Sequence, residues 1–528
     1  MTYFAVGRAK TDDGNTVELA ATAEGHLEVA LHAPRLPFGS VHAEGLTPVF
    51  QVDAVYGVNT KLVKATTGRS IAGAGSGGAT AANEMFQVST GTTSYSFGTI
   101  QSRRRLRYRA GQGAIGRCAG LFTSGVANSI QVLGFGTAES GFYFGYNGTA
   151  FGILHVRGGV REVHTLTITT ASTATNDYSV TLPNGDAVTV TGATNSGNTA
   201  RTAYEISRGT FPGWEANSVG ATVVFLRSSA GATGGSFSLA QPSAGTPAAG
   251  SDVTTTAGVA SSDSWVAQTA WNGDKLDGTG PSGVTLDPTK GNVYQINIQY
   301  LGFGTVEFRV EVALTGNNSD FVTVHTLNFP NARTTPHVTQ PSFPFTMAAY
   351  SAGSTTNVTV YAGSAAGFIE GGISYVGPRM SYYRETNGFV GSTAATYYPL
   401  FTVRNGLTYK NRANQSVIRL IGLSCSHDDA TPLSFVLIRN ATLVGNPSFA
   451  AYSTNSATYW DQAATSCTIT DNEQIEHVLN IGQSGGGNFP FADKEITLQP
   501  GEAITLAARA VTGTATYVIG TLATREDQ

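Results

Sequence analysis

The residues best suited to hold a metal ion are His427, Asp428 and Asp429, which follow one another directly in the chain. Three consecutive side chains cannot all face one ion, because neighbouring side chains point in different directions along an extended backbone. The following residues, 430–432, end in proline and are typical of a loop. We therefore predict a polar loop in which these three residues are candidates for contact at a distal surface, not metal ligands.

Acidic residues offer two other kinds of chemistry, and neither has the required spacing. The turn around Asp12 and Asp13 lacks the alternating acidic positions of a calcium-binding loop. Glu139, Glu307 and Glu311 would form a glycosidase pair only if the fold brought two of their carboxylates within ~5–9.5 Å of each other. The sequence therefore predicts a protein that is not an enzyme and that has no catalytic residues, metal or cofactor.

Residues 73–78 fit the pattern G-x-G-x-x-G, which cradles a dinucleotide when a strand precedes it and a helix follows it. The strand signal before this segment is weak, and a strand-like segment follows it. We therefore interpret residues 61–83 as a Gly/Ala-rich linker.

A basic run covers residues 103–109. On a strand its four odd-numbered positions share one face, because side chains alternate between the two faces. Contact with nucleic acid is one interpretation; pairing with carboxylates is the other, and we favour it because the whole chain is acidic. The predicted interface residues are Arg103, Arg105, Arg107 and Arg109.

Four aromatic residues have two possible roles. Tyr143, Trp265, Trp271 and Phe303 would form a sugar-stacking platform if they shared a surface, or they would fill a core. The sequence favours the core.

The composition indicates a β-rich globular protein. Of its 528 residues only 12% are charged, about half of the usual ~25%, which argues against long surface helices and disorder. The net charge of −4 provides no basic field for nucleic acid. Cys118, Cys425 and Cys467 are too few and too far apart for a disulfide framework or a zinc motif.

No apolar window approaches the ~18 residues of a membrane span, and the N-terminus lacks the pattern of a signal peptide. We therefore expect no membrane insertion and synthesis in a cytoplasm.

Short alternating strands separated by turn signals predict a mainly β, multi-domain β-sandwich and jelly-roll protein with an extended N-terminal arm and a small inserted α+β module. Residues 199–206 are predicted to form a short helix capped by Asn198. The predicted units are a docking arm (1–60), the linker (61–83), a sandwich split over 84–163 and 259–372, the inserted module (164–258) and a C-terminal jelly-roll-like domain (373–528).

The arm carries apolar side chains without an evident sheet of its own. Burying such a side chain on a partner is worth ~1.5–3 kcal/mol before ordering costs. We therefore predict that the arm docks on another subunit or another protein through Leu27, Val29, Leu31, Leu36, Phe38, Val49 and Phe50.

Several segments resemble virion structural proteins of tailed bacteriophages. They are APRLPFGSVHAE (33–44) with TPVFQ (47–51), RRRLRYRAGQG (103–113), and LDPTKGNVYQI (286–296) with LGFG (301–304). LQPGE (498–502) resembles the C-terminal jelly-roll domains of the same class.

The resemblance implies a non-enzymatic component of the virion, associated with a tail or fibre and assembled in the bacterial cytoplasm. Its expected partners are further copies of itself, as a homotrimer, and other virion proteins, with host-surface glycan as an additional partner. The alternatives are a capsid decoration or cement protein and a glycan-degrading or glycan-binding tailspike.

Overall fold

The structure is a computed structural model that describes residues 45–107, 111–172, 177–191, 197–240, 248–313, 319–372, 377–386, 390–393, 396–471, 474–491, 496–515 and 517–527, and the backbone of 7–10 and 16–19. Within this part of the chain, strands dominate and one α-helix occurs, α1 (Thr199–Ser207). No described helix is long and apolar enough to cross a bilayer. The prediction of a mainly β protein built from several sandwich-like units is confirmed.

The strands follow one another in three groups. The first group is β1 (Gly7–Lys10), β2 (Thr16–Leu19), β3 (Leu46–Asp53), β4 (Val63–Arg69), β5 (Gly78–Ala82), β6 (Met85–Ser89), β7 (Ser96–Arg107), β8 (Ala114–Phe122), β9 (Ser129–Gly136), β10 (Gly141–Asn147) and β11 (Ala150–Arg157). The second is β12 (Arg161–Thr170), β13 (Tyr178–Thr181), β14 (Ala187–Val190), β15 (Trp214–Val219), β16 (Thr222–Ala230), β17 (Ser238–Ala240), β18 (Ala249–Thr256), β19 (Ser262–Ala267), β20 (Asn292–Ile298), β21 (Val306–Ala313), β22 (Ser319–Leu327), β23 (Ser342–Ser351) and β24 (Thr359–Glu370). The third is β25 (Arg379–Thr386), β26 (Val390–Gly391), β27 (Tyr398–Asn405), β28 (Thr408–Tyr409), β29 (Arg412–Ala413), β30 (Val417–His427), β31 (Leu433–Arg439), β32 (Thr442–Gly445), β33 (Ala450–Ala451), β34 (Thr458–Asp461), β35 (Ala464–Thr468), β36 (Ile475–Ile481), β37 (Gly486–Pro490), β38 (Thr497–Leu498), β39 (Ala503–Ala510), β40 (Thr514–Ala515) and β41 (Val518–Asp527).

The largest unit, called the sandwich below, consists of two antiparallel sheets that share one hydrophobic core. One sheet has the order β19, β11, β10, β9, β23, β7, β4, and the other has the order β22, β21, β20, β8, β24, β6, β5. The predicted pairing of β20 with β21 is confirmed, with Ile296 opposite Phe308 and both side chains fully buried. Alternation of apolar and polar residues along these strands places one face of each sheet in the core.

The arm and the linker differ from the prediction. β3, within residues 1–60, pairs with β24 and places Phe50 and Val52 in the sandwich core. The predicted linker 61–83 contains β4, which pairs with β7, and β5, which pairs with β6. These strands are rich in Thr, Ala and Gly, so their apolar signal is too weak to recognise from the sequence.

The glycine segment 73–78 is neither a dinucleotide turn nor a flexible linker. A strand, not a helix, follows it. A Cβ atom at Gly75 would lie 2.5 Å from the carbonyl oxygen of Gly68, and one at Gly77 would lie 2.1 Å from that of Phe97. These glycines therefore allow two stretches of backbone to approach closely between the edges of the two sheets.

The second unit, called the module below, lies between β11 and β19 in the chain. Its sheets have the orders β15, β16, β12, β18 and β14, β13, β17, and they share a separate core with α1. The predicted helix is confirmed, since the Asn198 side chain accepts hydrogen bonds from the backbone N–H groups of Ala200 and Arg201. Val160 and Val259 form a bridge where the chain enters and leaves the module.

The third unit, called the C-terminal unit below, follows β24. A sheet of order β25, β41, β30, β37, with β38 paired to β30, faces a sheet of order β33, β34, β27, β39, β31, β36. Phe401, Leu420, Phe435, Leu506 and Leu522 lie fully buried in its core.

The module is joined to the C-terminal unit by buried side chains. Tyr204 of α1 donates its hydroxyl hydrogen bond partner position to the backbone of Leu443, whose N–H lies 2.9 Å from the Tyr204 oxygen. Arg404 lies 3.4 Å above the ring centre of Phe449 and donates to the carbonyl oxygen of Ser218 at 2.9 Å. Burial lowers the pKa of Arg404 to about 10. These contacts fix α1 and β15 against the C-terminal unit.

Candidate binding cleft between the sandwich and the module

The predicted arginine face exists on β7, and its partners belong to the same chain. The Arg103 guanidinium lies 3.2 Å from the Glu502 carboxylate. Arg107 donates to the carbonyl oxygen of Asp527 at 2.5 Å, with the Asp527 carboxylate 3.9 Å away. Both acidic residues come from the C-terminal unit, so these two arginines join the sandwich to that unit. Arg109 lies outside the described residues.

Arg105 shares this face but has a different environment. Its Nε and Nη1 atoms are buried and have no hydrogen-bond partner among the described residues. Burial is the main cause that lowers the pKa of Arg105 to about 10, and the positive charges of Arg107 and Arg161 add to it. The side chain lines a cleft between the sandwich and the module.

This cleft has two connected chambers, which we call the aromatic chamber and the polar chamber. The aromatic chamber has a volume of about 200 Å³, and the polar chamber, which extends towards the C-terminal unit, has about 300 Å³. One wall is the outer face of β4 and β7, and the other is formed by β15 and β16 of the module. Five residues line both chambers: Lys64, Gln101, Arg105, Arg161 and Glu215.

Glu215 is the ionic centre of the cleft. Its Oε1 atom lies 2.8 Å from the Lys64 ammonium and 3.0 Å from the Arg161 guanidinium. Burial alone would raise the pKa of Glu215, but Lys64 and Arg161 together hold it at about 2. Burial lowers the pKa of Lys64, although Glu215 opposes that shift. One carboxylate thus serves two cations and ties β4 of the sandwich to β12 and β15 of the module.

The charge of the aromatic chamber is positive. Besides the two cations paired to Glu215, its lining contains Arg69, Arg105 and Arg227. Arg69 donates to the carbonyl oxygens of Ser94 and Ala72 rather than to a carboxylate. Glu215 is the one acidic residue among the described lining residues. The lining therefore carries five positive side chains and one negative side chain.

An aromatic pair lies on the sandwich wall of the same chamber. Phe97 on β7 and Tyr350 on β23 are directly opposite in the strand register, and their ring centres are 5.9 Å apart. Both rings are only partly buried. Hydroxyl side chains surround them: Thr66, Ser70, Thr99, Thr137, Ser228, Ser229, Thr233 and Thr346.

The polar chamber contains two further groups without partners. The Asn217 Nδ2 donor and the Gln499 Oε1 acceptor are buried, and neither has a hydrogen-bond partner within the described chain. Both residues line this chamber, beside Arg105. Buried polar groups without partners are costly, so three such groups around one cavity indicate that something polar completes them.

The three glutamates considered as a glycosidase pair do not come together. Glu139 accepts a hydrogen bond from the Arg161 N–H at 3.2 Å, near the module. Glu307 and Glu311 lie on β21 in the other sheet, where Glu307 is 3.9 Å from Arg309 and Glu311 accepts from Ser319. Burial raises the pKa of Glu139, and Arg161 partly offsets this.

The structure places the predicted docking residues in two groups. Phe50 is 5% exposed in the sandwich core, so it is not available to a partner protein, which corrects its assignment as a docking residue. Val49 packs against the same core and is partly buried. The other predicted docking residues, Leu27, Val29, Leu31, Leu36 and Phe38, lie outside the described residues.

The predicted distal loop is only partly a surface. His427 is 5% exposed at the end of β30, and its Nδ1 accepts a hydrogen bond from the backbone N–H of Asp429. Asp429 in turn accepts from the backbone N–H of Tyr517. Asp428 is exposed. His427 is therefore corrected from a surface contact to a structural residue, because the strand β30 continues further than the sequence indicates.

The four aromatic residues weighed as a platform do not share one surface. Trp271 and Tyr143 are buried, in two different hydrophobic clusters. Trp265 is partly buried beside Tyr143, and Phe303 is 39% exposed on the loop after β20. Core filling thus describes Trp271 and Tyr143, while the exposed aromatic pair of the cleft consists of different residues.

The three cysteines are unpaired thiols buried in separate regions. Burial raises the pKa of Cys118, and it raises the pKa values of Cys425 and Cys467 to about 12. Over the residues that the structure describes, no group of three or more His, Cys, Asp or Glu side chains is arranged to hold a metal ion.

Comparison with known proteins adds little to this geometry. No family model matches the chain, and no curated protein matches it. Two solved structures are similar: a lectin from Bauhinia forficata in complex with GalNAc, with 8% identity, a TM-score of 0.20 and coverage of 61% of this chain and 97% of the lectin, and the lectin UEA-II complexed with galactose, with 10% identity, a TM-score of 0.21 and coverage of 61% and 100%. TM-scores this low carry no argument about what the chain binds.

Sequence reasoning missed the cleft because its residues come from distant segments. Lys64 and Glu215 are separated by the whole first half of the sandwich, and neither belongs to a motif. The basic run gave one signal, since Arg105 was identified as an interface residue. Its lack of a carboxylate partner is visible only in the structure.

Proposed function

We propose that this protein is a non-enzymatic structural component of a bacteriophage virion, associated with the tail or a fibre. The observation that carries the proposal is the joining of three β units by side chains that connect one unit to the next. The resemblance of segments 33–51, 103–113 and 286–304 to tailed-phage virion proteins supports the same conclusion.

The joins between units use the few charged residues that the chain has. Arg103 and Arg107 connect the sandwich to the C-terminal unit, and Arg439 adds a second cation on Glu502 at 2.8 Å. Arg201 of α1 donates to the carbonyl oxygens of Leu443 and Gly445 at 3.0 and 3.1 Å. Such contacts resist rotation of one unit against another, which suits a load-bearing part.

Assembly is proposed to be homotrimeric and to use the arm. Because β3 belongs to the sandwich, the segment available for docking ends before Leu46. The arm includes the paired strands β1 and β2. In this arrangement the arm docks on a neighbouring subunit or another virion protein, and the C-terminal unit faces outward.

The first experiment is an inventory of purified particles by mass spectrometry, followed by localisation with cryo-electron microscopy. We expect the chain in the particle at a fixed copy number, with threefold density in the tail or fibre. Density on the capsid surface would instead support the decoration-protein alternative. Absence from purified particles would contradict the proposal.

A second experiment separates docking from folding. Deletion of residues 1–44 leaves every strand of the three units, whereas deletion of residues 1–60 also removes β3 with Phe50 and Val52. We expect the shorter deletion to abolish incorporation while thermal unfolding stays unchanged. Normal copy number of the shorter deletion in particles would show that the arm is not the anchor. Incubation with host polysaccharide should leave the chain lengths unchanged, and shortened chains would favour the tailspike alternative.

A further inference from the structure

We propose that the cleft between the sandwich and the module binds an acidic saccharide, with an oxyanion of the sugar on Arg105 and a sugar ring on the Phe97–Tyr350 pair. This assigns a binding site, which goes beyond a structural role in a particle.

The case for an anion begins with Arg105. A guanidinium always carries its charge and offers five N–H donors, yet the Nε and Nη1 donors of Arg105 are buried without a partner among the described residues. Leaving a buried charge unpaired is unfavourable. An oxyanion supplies two acceptor atoms in the planar geometry that a guanidinium binds best.

The protein does not supply that anion from its own carboxylates. Glu215 is already shared by Lys64 and Arg161. Glu162 accepts two hydrogen bonds from Thr233, through its N–H at 2.8 Å and its hydroxyl at 2.7 Å. Glu139 is engaged with the Arg161 backbone. The nearby acidic groups are therefore occupied, while the lining keeps an excess of positive charge.

The case for a saccharide, rather than a bare ion, rests on the other lining groups. An ion needs neither an aromatic pair nor two chambers of about 200 and 300 Å³. The partly exposed rings of Phe97 and Tyr350 offer a flat apolar surface, and the hydroxyl side chains around them match sugar hydroxyl groups. The free donor of Asn217 and the free acceptor of Gln499 fit a ligand with both donors and acceptors.

The test uses the full chain and calorimetric titration with trigalacturonic acid, an acidic trisaccharide. Maltotriose is the neutral saccharide, sodium sulfate is the simple oxyanion, and a short single-stranded DNA oligonucleotide is the polyanion without an acidic sugar. We expect saturable binding of trigalacturonic acid that weakens with salt, weaker binding of sulfate and no binding of maltotriose.

Three variants locate the site. Arg105→Gln should lower the affinity for trigalacturonic acid by about 10-fold or more, because a charged hydrogen-bond partner is lost. Phe97→Leu keeps an apolar side chain but removes the ring, and it should lower that affinity several-fold while leaving sulfate binding unchanged. Arg309→Gln is the matched control, since it makes the same change of charge on β21 in the other sheet, and it should leave the affinity unchanged.

Thermal unfolding without ligand provides an independent measurement. Because the Arg105 charge lacks a partner, Arg105→Gln should unfold at the same or a higher temperature than the unaltered chain. A clearly lower unfolding temperature would show that Arg105 serves the fold, and would overturn the proposal.

Other results would overturn it in distinguishable ways. Failure of trigalacturonic acid to bind would leave a cleft filled by water only. Equal affinity in Arg105→Gln would place binding elsewhere. Tighter binding of the oligonucleotide than of the trisaccharide would indicate a nucleic-acid surface. None of these outcomes bears on whether the chain is found in purified particles, so the proposed virion role is tested separately.

Discussion

Two boundaries of the sandwich use the same strand in opposite ways. At the boundary with the C-terminal unit, Arg103 and Arg107 of β7 meet Glu502 and Asp527. At the boundary with the module, Arg105 lies between them in sequence and on the same strand face, but its buried donors have no partner in the described chain. Strand periodicity thus decides which way an arginine points, whereas the neighbouring unit decides whether it stabilises the fold or is left for a ligand.

The largest effect is expected at the paired boundary, from Glu502→Ala. The Glu502 carboxylate serves Arg103 at 3.2 Å, Arg439 at 2.8 Å and the backbone N–H of Gln499 at 2.9 Å. Removing one member of a largely buried pair leaves its partners uncompensated, so we expect the free energy of unfolding to fall by ~3 kcal/mol. Urea titration followed by tryptophan fluorescence measures it.

The matched control for that variant is Glu307→Ala. The Glu307 carboxylate is 42% exposed and lies 3.9 Å from Arg309. An exposed pair of this kind contributes little, so the loss should stay below ~0.5 kcal/mol. Equal losses in the two variants would break the distinction between a joining pair and a surface pair.

The next effect concerns the ionic centre of the cleft and depends on pH. Lys64 and Arg161 hold the pKa of Glu215 at about 2 in the folded chain, below the ordinary value of ~4.3. The stabilisation is therefore complete above pH ~4.5 and is lost as the pH falls towards 2, with a total of ~2 kcal/mol.

Thermal unfolding from pH 6 to pH 2 checks this prediction in the unaltered chain and in Glu215→Gln. The difference in stability between the two should shrink as the pH falls. A difference that stays constant over this range would show that the Glu215 charge does not join the module to the sandwich.

A smaller effect with the opposite pH dependence is expected inside the module. Burial alone would lower the pKa of His164, but the hydrogen bond to Asp252 at 2.8 Å, together with the charges of Asp252 and Glu162, raises it. The stabilisation is complete below pH ~6.5 and is lost as the pH rises through the raised pKa, with a total of ~1 kcal/mol.

Nuclear magnetic resonance of the His164 imidazole, combined with amide exchange in the module, measures this effect. His164→Gln should remove the loss of protection at alkaline pH. An imidazole that titrates below pH 6.5 would contradict the prediction.

The smallest effect is expected away from both boundaries, for Asp428→Ala. Because Asp428 is exposed, the free energy of unfolding should change by less than ~0.5 kcal/mol. A larger change, measured by the same urea titration, would mean that the loop after β30 contributes to the fold.

Strong local patterns were sufficient for several elements. The Asn198 cap, the Asn147 hairpin turn and the alternation on β20 and β21 each depend on nearby residues, and the structure contains all three. β4 and β5 were missed because their small side chains give little apolar contrast, and their pairing with β7 and β6 is long-range in cause.

The candidate site was less accessible to sequence reasoning for a physical reason. The positions of the arginines on β7 followed from a period of two, but their partners did not. Glu502 lies 399 positions after Arg103, and no local pattern links them. The Phe97–Tyr350 pair likewise joins strands that are distant in the chain.

The buried cysteines have a consequence for following how the molecule opens. Cys118 lies in the sandwich core, Cys425 in the core of the C-terminal unit, and Cys467 in the cluster where Tyr204 of the module meets that unit. A thiol reacts as its thiolate, and burial with a raised pKa suppresses that form. Each thiol therefore becomes reactive only when its own region opens. The order in which alkylating reagents label the three positions gives a clock, built into the chain, for the sequence of events when the units separate.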